Sequence, residues 1–235
     1  MVSSILRLST KYGFLDLRER ALSHLMDTHA IKYEQGRFRR PSKSHDDVAI
    51  LSLARETGSM VLAPSAFLWL SELSVDQLFR LTAAFAAPGD DSNLERDKKA
   101  LLSIDDLKTC LSGKVALLKE CADTIARIVS TDIELCTTVA NCYRVRSFFY
   151  NSWKDSVVLR DEPLVWLTEL MNSIEAKPPR EPFFGSEFCS WCRVIMEDRL
   201  ETETERIWCD IPLMFGLPNW DELHRSAKIE APDDF

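Results

Sequence analysis

With 235 residues, 46% of them apolar and 28% charged, the chain lies in the ordinary globular range and can bury one large core or two modest ones. A formal charge of -8 disfavours general nucleic-acid binding, which needs clustered Lys and Arg against phosphates. Seven glycines, ten prolines and no long stretch alternating apolar with polar leave a β-rich fold without support. The pattern predicts an all-α protein, an irregular multi-helix bundle with a long carboxy-terminal helix.

Arg7 and Lys11 interrupt the first apolar run, so no signal peptide or anchor is expected, and residues 61–87 are broken as a membrane span by Glu72, Asp76 and Arg80. Seven cysteines, an odd number without a secretory signal, point to free thiols or a metal site in an intracellular protein, cytoplasmic or nuclear.

Ser3 and Ser4 are positioned to cap a first helix carrying Ile5, Leu8 and Tyr12, which Gly13 ends. Asp16 starts a second with Leu17, Ala21, Leu22 and Leu25, and His24 is expected to pack between the two. Ile5, Leu6, Leu8, Phe14, Leu15, Leu17, Leu22 and Leu25 exceed what two short helices can hide, which predicts an exposed apolar patch. Residues 28–45 read as a solvated basic loop containing Lys32, Arg37, Arg39, Arg40 and Lys43. A buried helix from Asp46 to Thr57 ends at Gly58, Pro64 opens another, and Ser74 with Gln77 forms a capping box ahead of Leu78, Leu81 and Phe85. Residues 88–99 are a polar loop.

Ser103 and Asp106 start an amphipathic helix whose apolar line runs Ile104, Leu107, Leu111, Val115, Leu118, Ala122, Ile125 and Val129, with Gly113 a point of weakness or a break. Residues 131–151 carry Cys136 and Cys142 and lead to Phe148, Phe149 and Trp153; 164–172 read as a short apolar helix and 177–180 as a linker. Within 186–223 one long helix has Phe188, Cys192, Ile195, Ile207 and Ile211 on a stripe linked by Leu200 and Thr204, and an acidic outer face. Asp210 and Pro212 should turn the chain, Gly216 stop it, and Asn219 with Glu222 cap a last short helix. Trp208 and Trp220 are expected to be buried.

The stretch SILRLSTKYGFLDLRERALSHL, residues 4–25, resembles the last two helices of a BTB (POZ) domain. A Cys-Leu-x-Gly at Cys110–Gly113, Cys136 and Cys142, Cys189 and Cys192, Glu205-Arg-Ile-Trp208, then Pro212 and Phe215-Gly-Leu-Pro-x-Trp220 follow in the order similar to the region after the BTB core in proteins abundant in mushroom-forming fungi. On that resemblance residues 1–27 are a remnant helix pair, 28–45 a basic loop and 46–235 a helical domain; the BTB core that should precede them is missing, which leaves a truncated gene model and a diverged descendant as the alternatives. The resemblance implies a non-enzymatic protein-interaction module with a protein partner, including self-association through residues 3–26, and no nucleic acid or membrane. The residues a BTB core supplies for dimerisation or for docking to cullin-type ubiquitin ligases are not among these.

Little in the chain suggests catalysis. The glycines are never closer than 22 residues apart, which excludes phosphate-cradling loops, and His24, His29, His45 and His224 lack HExxH spacing. Asp91, Asn93 and Glu95 resemble a calcium loop only faintly, since Arg96 replaces the turn glycine. Glu197, Asp198, Glu201, Glu203, Glu205 and Asp210 read as a solvated helix face. Cys136, Cys142, Cys189 and Cys192 are the candidate ligands of a structural zinc, because thiolates suit that ion and Cys-x-x-Cys is a common half-site. Against this, a spacing of six exceeds the usual gap, and Cys189 and Cys192 read as i and i+3 within a helix, which favours packing in the core with no cofactor. Convergence of the four sulfurs separates the alternatives.

Overall fold

The computed structural model describes residues 1–29, 32–34, 37–39, 47–82, 101–130, 134–159 and 188–227. The segments expected at 88–99, 164–172 and 177–180, with Phe85 and the Asp91–Glu95 motif, lie outside the described residues. Nine α-helices account for most of the described chain: α1 (Val2–Tyr12), α2 (Leu15–His29), α3 (Asp47–Thr57), α4 (Ala63–Ser71), α5 (Val75–Arg80), α6 (Ile104–Ser130), α7 (Val139–Leu159), α8 (Ser190–Met214) and α9 (Trp220–Ala227). The protein is all-α in class. Within the expected basic loop, two three-residue strands, β1 (Lys32–Glu34) and β2 (Arg37–Arg39), pair as a small ribbon, because Lys32, Tyr33, Arg37 and Phe38 tolerate extended backbone as readily as coil. No helix among the described residues is long and apolar enough to cross a membrane.

The chain divides into two compact units, residues 1–32, 39–114 and 209–235 in one, 33–38 and 115–208 in the other. In the first, α1 packs on α2 and α3, α3 on α4, and α9 on the 3₁₀ turn Met60–Leu62. Local signals set the ends. Gly13, Gly58 and Gly216 take φ of 69°, 63° and 66°, the left-handed region that costs a Cβ-bearing residue about 1 kcal/mol or more. Ser74 and Gln77 form the reciprocal capping box, Gln77 N donating to Ser74 Oγ at 3.3 Å and Ser74 N to Gln77 Oε1 at 2.9 Å. At α1, however, no serine caps; the helix begins at Val2 and the amides of Ser4 and Ile5 bond to Met1 O.

Leu6, Ala21, Leu22, Leu25, Leu53, Ala54, Phe67 and Leu68 fill this core, whereas Leu8, Tyr12, Phe14, Leu15 and Leu17 stay exposed. The buried line of α1 is Leu6 and Ser9, one residue out of register with the expected Ile5, Leu8 and Tyr12. His24 is exposed, because the α2 face that packs is Arg18, Ala21, Leu22 and Leu25. Arg18 itself is buried with no carboxylate partner among the described residues: its guanidinium donates to Thr57 O (3.3 Å) at the end of α3, Ser59 Oγ (3.2 Å) and Ala227 O (3.0 Å) at the end of α9. Two helix carboxy-termini, each carrying partial negative charge, hold the cation.

Helix α6 runs unbroken through Gly113, where a Cβ would overlap the buried ring of Phe215. That ring stacks on Phe67 at 5.5 Å and 14°. The buried line of α6 is Leu107, Cys110, Leu117, Cys121, Thr124, Ile125 and Ile128, while Ile104 and Val115 face solvent. Helix α8 likewise continues through Pro212, which forfeits one backbone hydrogen bond two residues before the helix ends instead of turning the chain; burial of Ile211, Pro212 and Phe215 offsets the loss. Gly216 then closes it, with Leu217 N bonding to Pro212 O at 2.9 Å. Asn219 Oδ1 accepts from Glu222 N at 2.9 Å, the expected cap of α9.

In the second unit, Leu117, Cys121, Ile125, Ile128, Val145, Met196, Leu200 and Ile207 are buried. Thr204 lies within the buried line of α8, its hydroxyl satisfied by Leu200 O at 2.6 Å. Glu203 does not belong to a free acidic face: it accepts from Arg127 and Arg206, which also bind Glu120. Trp208, here, and Trp220, in the first unit, are half-buried where burial was expected.

Candidate metal centre

The four candidate cysteines belong to the second unit and come from two helix starts. Cys136 lies in the turn ahead of α7 and Cys142 in its first turn, where its amide bonds to Thr138 O at 2.9 Å. Cys189 immediately precedes α8, its carbonyl accepting from Arg193 N at 3.0 Å, and Cys192 follows one turn later. Cys189 is thus not within the helix as expected. Its position lets the Cys-x-x-Cys wrap a helix amino-terminus, so both sulfurs can reach one point.

The four Sγ atoms all lie within 4.8 Å of one another, with Cys136 and Cys189 at 4.0 Å. A tetrahedral ion with metal–sulfur bonds of ~2.3 Å holds its sulfurs ~3.8 Å apart, so small rotamer adjustments close this set around a zinc-sized ion. The spacing of six between Cys136 and Cys142 is compatible because one residue precedes the helix and the other lies in it. Thr138 at the start of α7 is the sequence signal that would have placed Cys142 in a first turn.

Donors surround the sulfurs. Cys192 N donates to Cys189 Sγ at 3.4 Å, Cys189 N to Cys142 Sγ at 3.3 Å, and the Thr138 hydroxyl lies 3.2 Å from Cys142 Sγ. Hydrogen bonds of this kind favour thiolate over thiol and orient it as a ligand. At Cys189 burial raises the pKa, but donation from the backbone of Cys192 and Thr137 outweighs it and brings the thiol down to about 5. Cys192, fully buried, is pushed up by desolvation and by its neighbours Cys136, Cys189 and Cys142. Two buried thiolates and two half-exposed ones cannot all ionise side by side without a cation between them.

The other three cysteines lie elsewhere. Cys110 and Cys121 are core residues of α6, and burial, with Asp106 nearby, pushes the Cys110 thiol up to about 12; Cys209 is exposed. Among the described residues no other cluster of His, Cys, Asp and Glu has metal-binding geometry. No protein-family profile, no curated protein and no solved structure matches this chain.

Proposed function

We propose that the chain is a zinc-stabilised, non-enzymatic helical domain, in which Cys136, Cys142, Cys189 and Cys192 hold one structural Zn²⁺ that ties the start of α7 to the start of α8. Convergence of the four sulfurs within 4.8 Å carries this reading. Four thiolates complete a tetrahedral shell, leaving no open position for water or substrate, so the ion serves folding rather than catalysis. Reduced thiols suit an intracellular setting. Metal analysis of the chain purified under reducing conditions should find about one zinc per molecule, lost in C189S/C192S together with thermal stability. Metal-free protein that melts like the variant would end the proposal and restore the packed-core alternative.

A second reading, a protein-interaction module that associates with another copy of itself through residues 3–26, draws support from the exposed apolar group Leu8, Tyr12, Phe14, Leu15 and Leu17, and from the resemblance of this helix pair to the close of a BTB fold. Sedimentation over a wide concentration range tests it. Self-association weakened by F14E/L17E supports the reading, and a monomer at every concentration removes it.

A further inference from the structure

We infer that the cysteine cluster is also an oxidation switch, in which Cys136 and Cys189 close a disulfide at the solvent side of the site and expel the metal. The inference rests on the zinc reading above. Its basis is an asymmetry among the four ligands: Cys142 and Cys192 are fully buried, whereas Cys136 and Cys189 are both part-exposed. The two reachable sulfurs are also mutual neighbours at 4.0 Å, so a disulfide needs a further approach of ~2 Å, within the reach of side-chain rotation at two residues that precede their helices. Cys142 and Cys192, whose sulfurs also lie within 4.8 Å of that of Cys189, are at zero exposure and are shielded from an incoming oxidant.

The oxidant is hydrogen peroxide, the simplest of the peroxides. The thiolate of Cys136 or Cys189 attacks one peroxide oxygen, the O–O bond breaks, and hydroxide leaves, giving a sulfenic acid. The second thiolate displaces hydroxide from that sulfur and the S–S bond forms. Two electrons pass from the sulfurs to the two oxygens, which take up two protons and end as water. With two of its four ligands gone, Zn²⁺ departs, and Cys142 and Cys192 each take up a proton. The disulfide joins residues 53 apart in sequence, the same two segments the metal had joined, so oxidation exchanges one cross-link for another instead of releasing the chain.

The test uses the full reduced chain, with zinc content measured first, then treated with hydrogen peroxide beside a chromophoric chelator, and mapped by differential alkylation and peptide mass spectrometry. About one zinc should be released per disulfide formed, the disulfide should map to Cys136 and Cys189, and dithiothreitol with added zinc should restore the starting state. Exposed Cys209 serves as an internal control that the oxidant has acted. Zinc retained while Cys209 is oxidised overturns the switch, as does a disulfide mapped to Cys189 and Cys192. Release abolished in C209S also overturns it, since another thiol would then be the partner. A reduced chain that contains no zinc from the outset overturns the metal site itself, a result distinct from metal held but not released.

Discussion

At Gly113 the absence of a methyl group makes room for an aromatic ring. In an exposed helix interior, replacing Gly by Ala gains about 1 kcal/mol. Here the added carbon would overlap Phe215, which is buried and held against Phe67, so the ring must shift at an overpacking cost of about 1 to 3 kcal/mol. G113A is therefore expected to lower stability by about 1 kcal/mol net, and F215L, which frees space, to reduce that loss when combined with it. Urea unfolding of the three variants checks the sign; a higher midpoint for G113A would contradict it. Arg18 shows the complementary case of a group that is present and costly. Burial lowers its pKa; three oxygen acceptors, two of them helix-terminal carbonyls, take its terminal N–H groups, while its buried Nε has no hydrogen-bond partner among the described residues.

Between elements, α6 and α8 in the second unit are joined by four charges. Glu120 accepts from Arg127 at 2.5 Å and from Arg206, and Glu203 accepts from Arg127 at 2.9 Å and Arg206 at 3.0 Å. Burial raises the Glu120 pKa, but the two guanidiniums outweigh it and hold the carboxyl below its ordinary range. A depressed folded-state pKa contributes stability above the unfolded value and loses it as pH falls through the folded one. The contribution should thus be full at neutral pH and fade below pH ~4.3, and E120Q should remove it, leaving a flatter stability curve in acid. Thermal melts of both proteins between neutral and acid pH, compared as a difference, measure this; parallel curves would show that Glu120 is not the titrating group. Helix ends were legible in the sequence because their causes are local: Gly13, Gly58 and Gly216 supply backbone angles, and Ser74 and Gln77 satisfy each other within one turn. Burial registers were less so. Cys110, Cys121 and Thr124 occupy inward positions of α6 but are not aliphatic, and Val115 faces out despite being apolar, so counting aliphatic residues shifted the face. That these four cysteines could be grouped was legible in the sequence; their convergence was not, because it depends on where α7 and α8 begin.

Over the whole molecule, zinc binding should stabilise unequally. A ligand bound only by the folded state adds stability with its free concentration, about 4 kcal/mol at a thousand times Kd. Chelation of the reduced protein should raise hydrogen exchange in 134–159 and 188–208, the segments that carry the cysteines, well before residues 1–29 and 47–82 respond. Uniform loss of protection would mean that the chain unfolds as one cooperative body and that the metal supports all of it. The order of the ligands along the chain also bears on synthesis. Cys142 and Cys189 are 47 residues apart, and at translation rates of ~5 to 20 residues per second the first two cysteines wait roughly 2 to 9 s for their counterparts. On the zinc reading they form only half a cage for that interval, open to other metals and thiols until Cys189 and Cys192 have been made.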